Sequence, residues 1–250
     1  RPILFGFKSS RGAGACVDAI IASGIIPVAI EFMDRPAIHA TEKFAHAGYP
    51  LDVEALLIIE VEGSRDEIDA MLGRIQRIAK DFAPAYERVA KTSAESLAIW
   101  KGRKSAFGAI GRISPDYFCM DGTIPTGKLP EALEGISAIC QSYGFEVANI
   151  FHAGDGNLHP LILYNANQPG ETERAEACGG EILKLCVALG GCLTGEHGVG
   201  VEKRDLMTEQ FSADELDLQR RIKRAFDPKY LMNPHKVFPL ETMPQMQAAE

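Results

Sequence analysis

The sequence predicts an α+β fold, an antiparallel sheet with helices packed on one face, followed by a helical C-terminal segment. Three observations lead there. Short apolar runs such as Ala55-Leu56-Leu57-Ile58-Ile59 alternate with longer stretches of helical period. Asp155-Gly156 stands between two apolar runs, the signal of a tight hairpin and therefore of antiparallel pairing. After Gly200 the chain turns polar, and Ala213–Phe226 reads as an amphipathic helix ended by Asp227-Pro228.

The elements follow in order. Residues 3–7 read as a strand, 11–23 as a helix closed by Gly24, and 26–32 as a second strand that tolerates Pro27 at its start. Residues 35–47 look helical and are broken by Gly48-Tyr49-Pro50, and 55–61 form a buried strand. Ser64 and Glu67 make a capping box for a helix whose apolar stripe runs from Ile68 to Phe82. Residues 88–90 give a short strand. Residues 93–107 give a helix with the only tryptophan, Trp100, and a basic group Lys101, Arg103 and Lys104. Residues 117–121 form a strand. Thr126 is placed to cap a helix with Leu129, Leu133, Ile136, Ile139 and Cys140 on its buried side. The hairpin follows, then a helix over 171–189 stopped by Gly190-Gly191. No internal repeat is visible.

The chain has 250 residues, 46% hydrophobic and 24% charged, enough for one large core or two smaller ones. A net charge of −8 without a basic cluster argues against nucleic acid and anionic lipid as partners. No apolar run reaches the ~18–20 residues of a membrane helix. No signal peptide opens the chain, and its start at Arg1 reads like the middle of a longer protein. Six cysteines without a CxxC pair read as reduced, buried thiols of a cytoplasmic protein, not as ligands of an iron–sulfur cluster.

The chemistry lies in two stretches. If Asp155 and Gly156 are the two central turn residues, His152 faces His159 across the hairpin, close enough for both imidazoles to meet one cation. Gly195-Glu196-His197-Gly198-Val199-Gly200 adds a carboxylate and a third imidazole. His152, His159 and Glu196 make a metal set of catalytic type, with positions left open for substrate. His197, pointing away from Glu196, is available as a general base. Arg103 is the best fork for a substrate carboxylate, against the alternative of a solvated basic helix face. The same residues would also serve a metal-dependent hydrolase, or stand as structural histidines in a non-catalytic assembly module.

Residues 151–160 (FHAGDGNLHP) and 194–200 (TGEHGVG), closed by Asp227-Pro228 and Asn233-Pro234-His235-Lys236, resemble the C-terminal half of FAD-linked oxidases of the vanillyl-alcohol-oxidase type. The stretches WKGRKSAF (100–107), SPDY (114–117) and MDGTIP (120–125) bring the flavin-linked subunits of bacterial glycolate oxidases closer still. The resemblance covers nearly the whole chain except 243–250.

It implies a ferredoxin-like substrate (cap) domain over 1–195, a helical segment over 196–240 that docks on an FAD-binding domain absent from this chain, and a tail over 241–250. It also implies a flavin-dependent dehydrogenase or oxidase of small D-2-hydroxy acids such as glycolate or D-lactate. His152, His159 and Glu196 then bind a divalent metal, zinc or manganese, and Arg103 clamps the carboxylate. His197 takes the hydroxyl proton, and Asn233 and Lys236 lie near FAD. The implied partners are flavin-binding and iron–sulfur subunits of an oxidase complex, which would hold the protein peripherally at the inner membrane. The flavin domain being absent, the fragment alone is expected to be inactive and to bind FAD weakly or not at all. Cys119 stands where relatives acting on diacids carry a lysine, which favours a short monoacid.

Overall fold

The structure is a computed structural model that describes residues 1–240; the expected tail over 241–250 lies outside the described residues. Its first half runs β1 (Pro2–Phe7), α1 (Ser10–Ala22), β2 (Ala29–Asp34), α2 (Arg35–Ala45), β3 (Ala55–Glu60), α3 (Arg65–Lys80) and β4 (Tyr86–Val89). These strands lie in the order β4-β1-β3-β2, every neighbour antiparallel. That is the ferredoxin-like order, with α2 inserted between β2 and β3. β2 begins later than expected because its partner β3 ends at Glu60, opposite Ala29. Ile26, three residues earlier, is exposed.

Helix α4 (Ser93–Ile110) leads into the second half. There β5 (Asp116–Cys119) and β6 (Gly122–Thr123) form one interrupted line, then come α5 (Leu129–Tyr143) and β7 (Glu146–His152). β8 (Asn157–Leu158) and β9 (Pro160–Tyr164) form a second interrupted line, followed by α6 (Glu171–Ala188). β7 pairs with β8 and β9, these pair with β6 and β5, and Cys192 bridges Thr123 on the outer side. The second half thus repeats the topology of the first, and the two join edge to edge through antiparallel β2 and β7. The sequence shows no such repeat because a topology needs only the order of elements, not matching side chains.

Both faces of the sheet are covered, which corrects the expectation of helices on one face only. Side chains alternate along each strand. Ile3, Phe5 and Phe7 of β1 pack with Cys16 and Val17 of α1, Ile75 of α3, Ile136 of α5 and Ile182 of α6. Leu4, Leu56 and Ile58 face the other way, onto Ile38 of α2 and Ile99, Ala106 and Ile110 of α4. β1 (PILFGF) and β3 (ALLIIE) are nearly continuous apolar runs, as in a sheet buried on both sides, while the antiparallel pairing signalled by the hairpin holds throughout.

The hairpin also differs from expectation. Asn149 pairs with Pro160 and His152 with Asn157, so the loop has four residues rather than two. Ala153–Asp155 makes a turn of 3-10 helix, and Gly156 closes it at φ 69°. Ile124 holds this loop by donating its N–H to the Gly156 carbonyl at 2.9 Å. Thr126 does not cap α5; its hydroxyl contacts Asp18 at 3.3 Å, and a 3-10 turn over Thr126–Lys128 opens the helix. After Gly195 come α7 (Met207–Gln210) and α8 (Ala213–Phe226), the latter with a capping box of Ser212 and Glu215.

Candidate active and metal site

Four adjacent strand lines carry polar residues on the face covered by α2 and α4. Glu31 of β2 lies opposite His152 of β7. His159 stands between β8 and β9. The register that pairs Cys119 with Leu161 and Gly122 with Leu158 sets Asp121 across from His159. The register shift of the hairpin is two residues, so His152 and His159 still share a face, now as diagonal neighbours. Their rings meet edge to face with centroids 5.4 Å apart, and His197 stacks on His159 at the same spacing, 7° from parallel.

Asp121 organises the loop that carries the other groups. It is fully buried, yet five donors reach its two carboxylate oxygens and its carbonyl. Thr194 donates its hydroxyl at 2.6 Å, and Gly195, Glu196 and His197 donate their backbone N–H groups at 3.2, 3.0 and 3.0 Å. Buried Lys203 donates its ammonium at 2.9 Å. Burial pushes the carboxyl pKa up, but the Thr194 and Lys203 bonds and the backbone donors outweigh it and hold it well below the usual carboxylate range.

Glu31, 5% exposed, divides its oxygens. Oε1 lies 2.9 Å from His152 Nδ1; Oε2 accepts from Arg103 Nε at 3.0 Å and lies 2.9 Å from Nη2. Burial raises its pKa, and the His152 hydrogen bond with the Arg103 charge more than reverses this. The same bond to Glu31 raises the pKa of His152 against the opposing effect of burial. His152 Nε2 lies 3.3 Å from Glu196 Oε1. Burial lowers the pKa of His159. Its Nε2 is buried without a hydrogen-bond partner; Asp121 Oδ1, at 3.7 Å, is out of reach.

Arg103 is buried while its neighbours Lys101 and Lys104 are exposed. Gly102 brings it in: a side chain there would overlap the ring and hydroxyl of Tyr49, so only glycine lets α4 press this close. Phe107, one turn on, turns its ring toward His159 with centroids 6.4 Å apart. Cys119 lies on the same face, two residues before Asp121, and burial pushes its thiol up to about 12. Asn233 and Lys236 bond each other at 3.1 Å in the exposed tail, which the Val237 N–H ties to the Gly200 carbonyl at 2.8 Å.

Asp121, His159 and His197 form the compact group of potential metal ligands among the described residues. Asp121 is nonetheless a poor ligand, since its oxygens are already filled by donors and the Lys203 cation sits against it. His152, His159 and Glu196 offer the opposite: an orphaned buried imidazole nitrogen, a second imidazole held from behind by a carboxylate, and a half-exposed acid beside it. Sequence reasoning missed Glu31, Asp121 and Lys203. The first had a signal, an acid inside the apolar run Ile30-Glu31-Phe32-Met33.

Residues 1–237 match the family of FAD linked oxidases, C-terminal domain. The chain belongs to that family. It is 51% identical to glycolate oxidase subunit GlcD of Escherichia coli (strain K12) over 96% of this chain and 48% of that protein. GlcD of Bacillus subtilis is 32% identical over 95% of the chain and 51% of its own length. A probable mitochondrial D-lactate dehydrogenase of Danio rerio is 28% identical over 94% and 47%. The chain thus spans about half the length of these relatives. Among solved structures, p-cresol methylhydroxylase superposes with a TM-score of 0.71 at 15% identity, covering 97% of this chain and 53% of that one. That likeness shows the fold. No helix among the described residues is long and apolar enough to cross a membrane.

Proposed function

We propose that this chain is the substrate- and metal-binding part of a flavin-dependent dehydrogenase or oxidase of small D-2-hydroxy acids, with glycolate and D-lactate as the substrates to test. The observation that carries the reading is the convergence of His152, His159, Glu196 and His197, from two distant stretches, on one face beside buried Arg103. His152, His159 and Glu196 would hold a zinc or manganese ion, which when bound acidifies a substrate hydroxyl and offers it open positions. FAD, when bound, would supply the acceptor for a hydride from the substrate α-carbon. The chain's own residues do the rest. His197 receives the hydroxyl proton on its ring. Arg103 meets the substrate carboxylate with the N–H groups not engaged by Glu31. Asp121 fixes the backbone that carries Glu196 and His197. The neutral thiol of Cys119 offers no partner to a second carboxylate, which favours a monoacid.

FAD binding belongs, on this reading, to the part of the relatives that this chain does not span. Asn233 and Lys236 are proposed to lie near the flavin. The exposed apolar side chains Leu218, Ile222, Phe226 and Leu231 support a segment over 196–240 that docks on that part. The complete protein would work with flavin-binding and iron–sulfur partner subunits, cytoplasmic and peripheral at the inner membrane through them.

Elemental analysis of the purified chain beside His152→Ala and Glu196→Ala tests the site. One divalent ion per chain, lost in both variants, is the expected result. A parent chain that takes up neither zinc nor manganese would overturn the metal assignment. Loss of 2-hydroxy-acid oxidation when the complete protein is stripped of FAD separates this reading from a metal-dependent hydrolase.

A further inference from the structure

We propose that Glu31 is a positioning residue of this site: its two oxygens join Arg103 on α4 to His152 on β7 and fix both groups toward the substrate. The inference rests on the metal-binding reading above and adds a residue to it. Glu31 stands in the middle of β2, flanked across the sheet by Ile58 and His152. A buried carboxylate in an apolar strand is costly unless its lone pairs are filled. Among the described residues they are filled by two groups of the proposed site.

The chemistry fixes the tautomer. An ionised carboxylate only accepts, so the proton in the 2.9 Å contact sits on His152 Nδ1. In the neutral ring the lone pair is then on Nε2, the atom on the Glu196 side at 3.3 Å. A carboxylate behind an imidazole is the usual device for orienting a metal-binding histidine. The guanidinium is fixed by the same residue. Nε and Nη2 lie along Glu31 Oε2, so one edge of the fork is occupied and the donors of the other edge are free to meet a carboxylate. One acid on β2 thereby sets the directions of two side chains from separate layers of the fold.

The test compares wild type, Glu31→Leu and Arg103→Met by zinc titration calorimetry and by nitrogen-15 NMR of the histidine rings. Glu31→Leu is expected to bind zinc ~10- to 100-fold more weakly, and His152 to leave the Nδ1–H form. Arg103→Met keeps the carboxylate and should keep that form. If Glu31→Leu does not fold because Arg103 loses its counter-charge, Glu31→Leu/Arg103→Met removes both charges together and is read in the same way. A folded variant with unchanged zinc affinity and an unchanged His152 tautomer overturns the proposal and leaves the metal site standing. If wild type binds no zinc, the metal reading falls and the tautomer decides alone: a change in the variant keeps Glu31 as the orienting residue, and no change removes it.

Discussion

Asp121 and Lys203 show how much of this site is held by residues that perform none of its chemistry. Both are buried, and the ammonium of one fills the carboxylate of the other. Asp121→Ala would strand Lys203 and free the N–H groups of Gly195, Glu196 and His197 together. Removing one partner of a buried pair costs about 3–5 kcal/mol, so urea denaturation should show a loss of that size. Lys203→Met in the same background should recover part of it. Cys119 gives a second prediction at this scale. With its thiol pushed up to about 12, it is almost wholly protonated at pH 8, and its alkylation should rise about tenfold per pH unit up to that range. Exposed Cys192 should react first in a timed iodoacetamide series read by peptide mass spectrometry. Equal rates at pH 8 would contradict the burial. The histidines, Glu196 and Arg103, which the structure brings together, stood out as candidates in the sequence because their motifs are dense in polar groups and glycine. Asp121 did not, because a lone acid at a strand end reads as a stop signal; only register sets it across from His159.

At the scale of elements, the capping box of α3 was legible, while the start of α5 at Thr126 and the hairpin register were not. Ser64 and Glu67 form the expected capping box on α3, as local chemistry alone requires. Ser64→Ala should therefore cost about 1 kcal/mol in denaturation, with no effect on zinc uptake. The hairpin is different. Its loop is set by the 3-10 turn over Ala153–Asp155, by Gly156 at φ 69° and by the contact of Gly156 with Ile124 of the neighbouring line. A Cβ on Gly156 would overlap the Ile124 carbonyl oxygen. Gly156→Ala thus combines a positive-φ penalty with a backbone clash, and should cost more than the ~1–2 kcal/mol of the left-handed conformation alone. Thermal melting gives the loss. A weakened zinc affinity in the folded variant would show that the loop spaces His152 from His159.

As a whole molecule, the protein is two topological repeats joined through β2 and β7, and the proposed site lies at that seam. Glu31 comes from one repeat and His152, His159 and Asp121 from the other. The exposed apolar residues of α8 belong to this scale too. The chain alone should purify colourless, and a stoichiometric yellow flavin spectrum would refute the assignment of FAD binding to the rest of the protein. What the sequence by itself determined was local: the capping box of α3, apolar period, the two histidine stretches and the family they signal. These depend on residues within a few positions of one another. The tertiary structure decided the rest: the second helical layer, the hairpin register, the burial of Arg103 and the contacts of Glu31, Asp121 and Lys203. Each of these is a contact between strands or layers far apart in the chain, and spacing along the sequence carries no record of which faces meet.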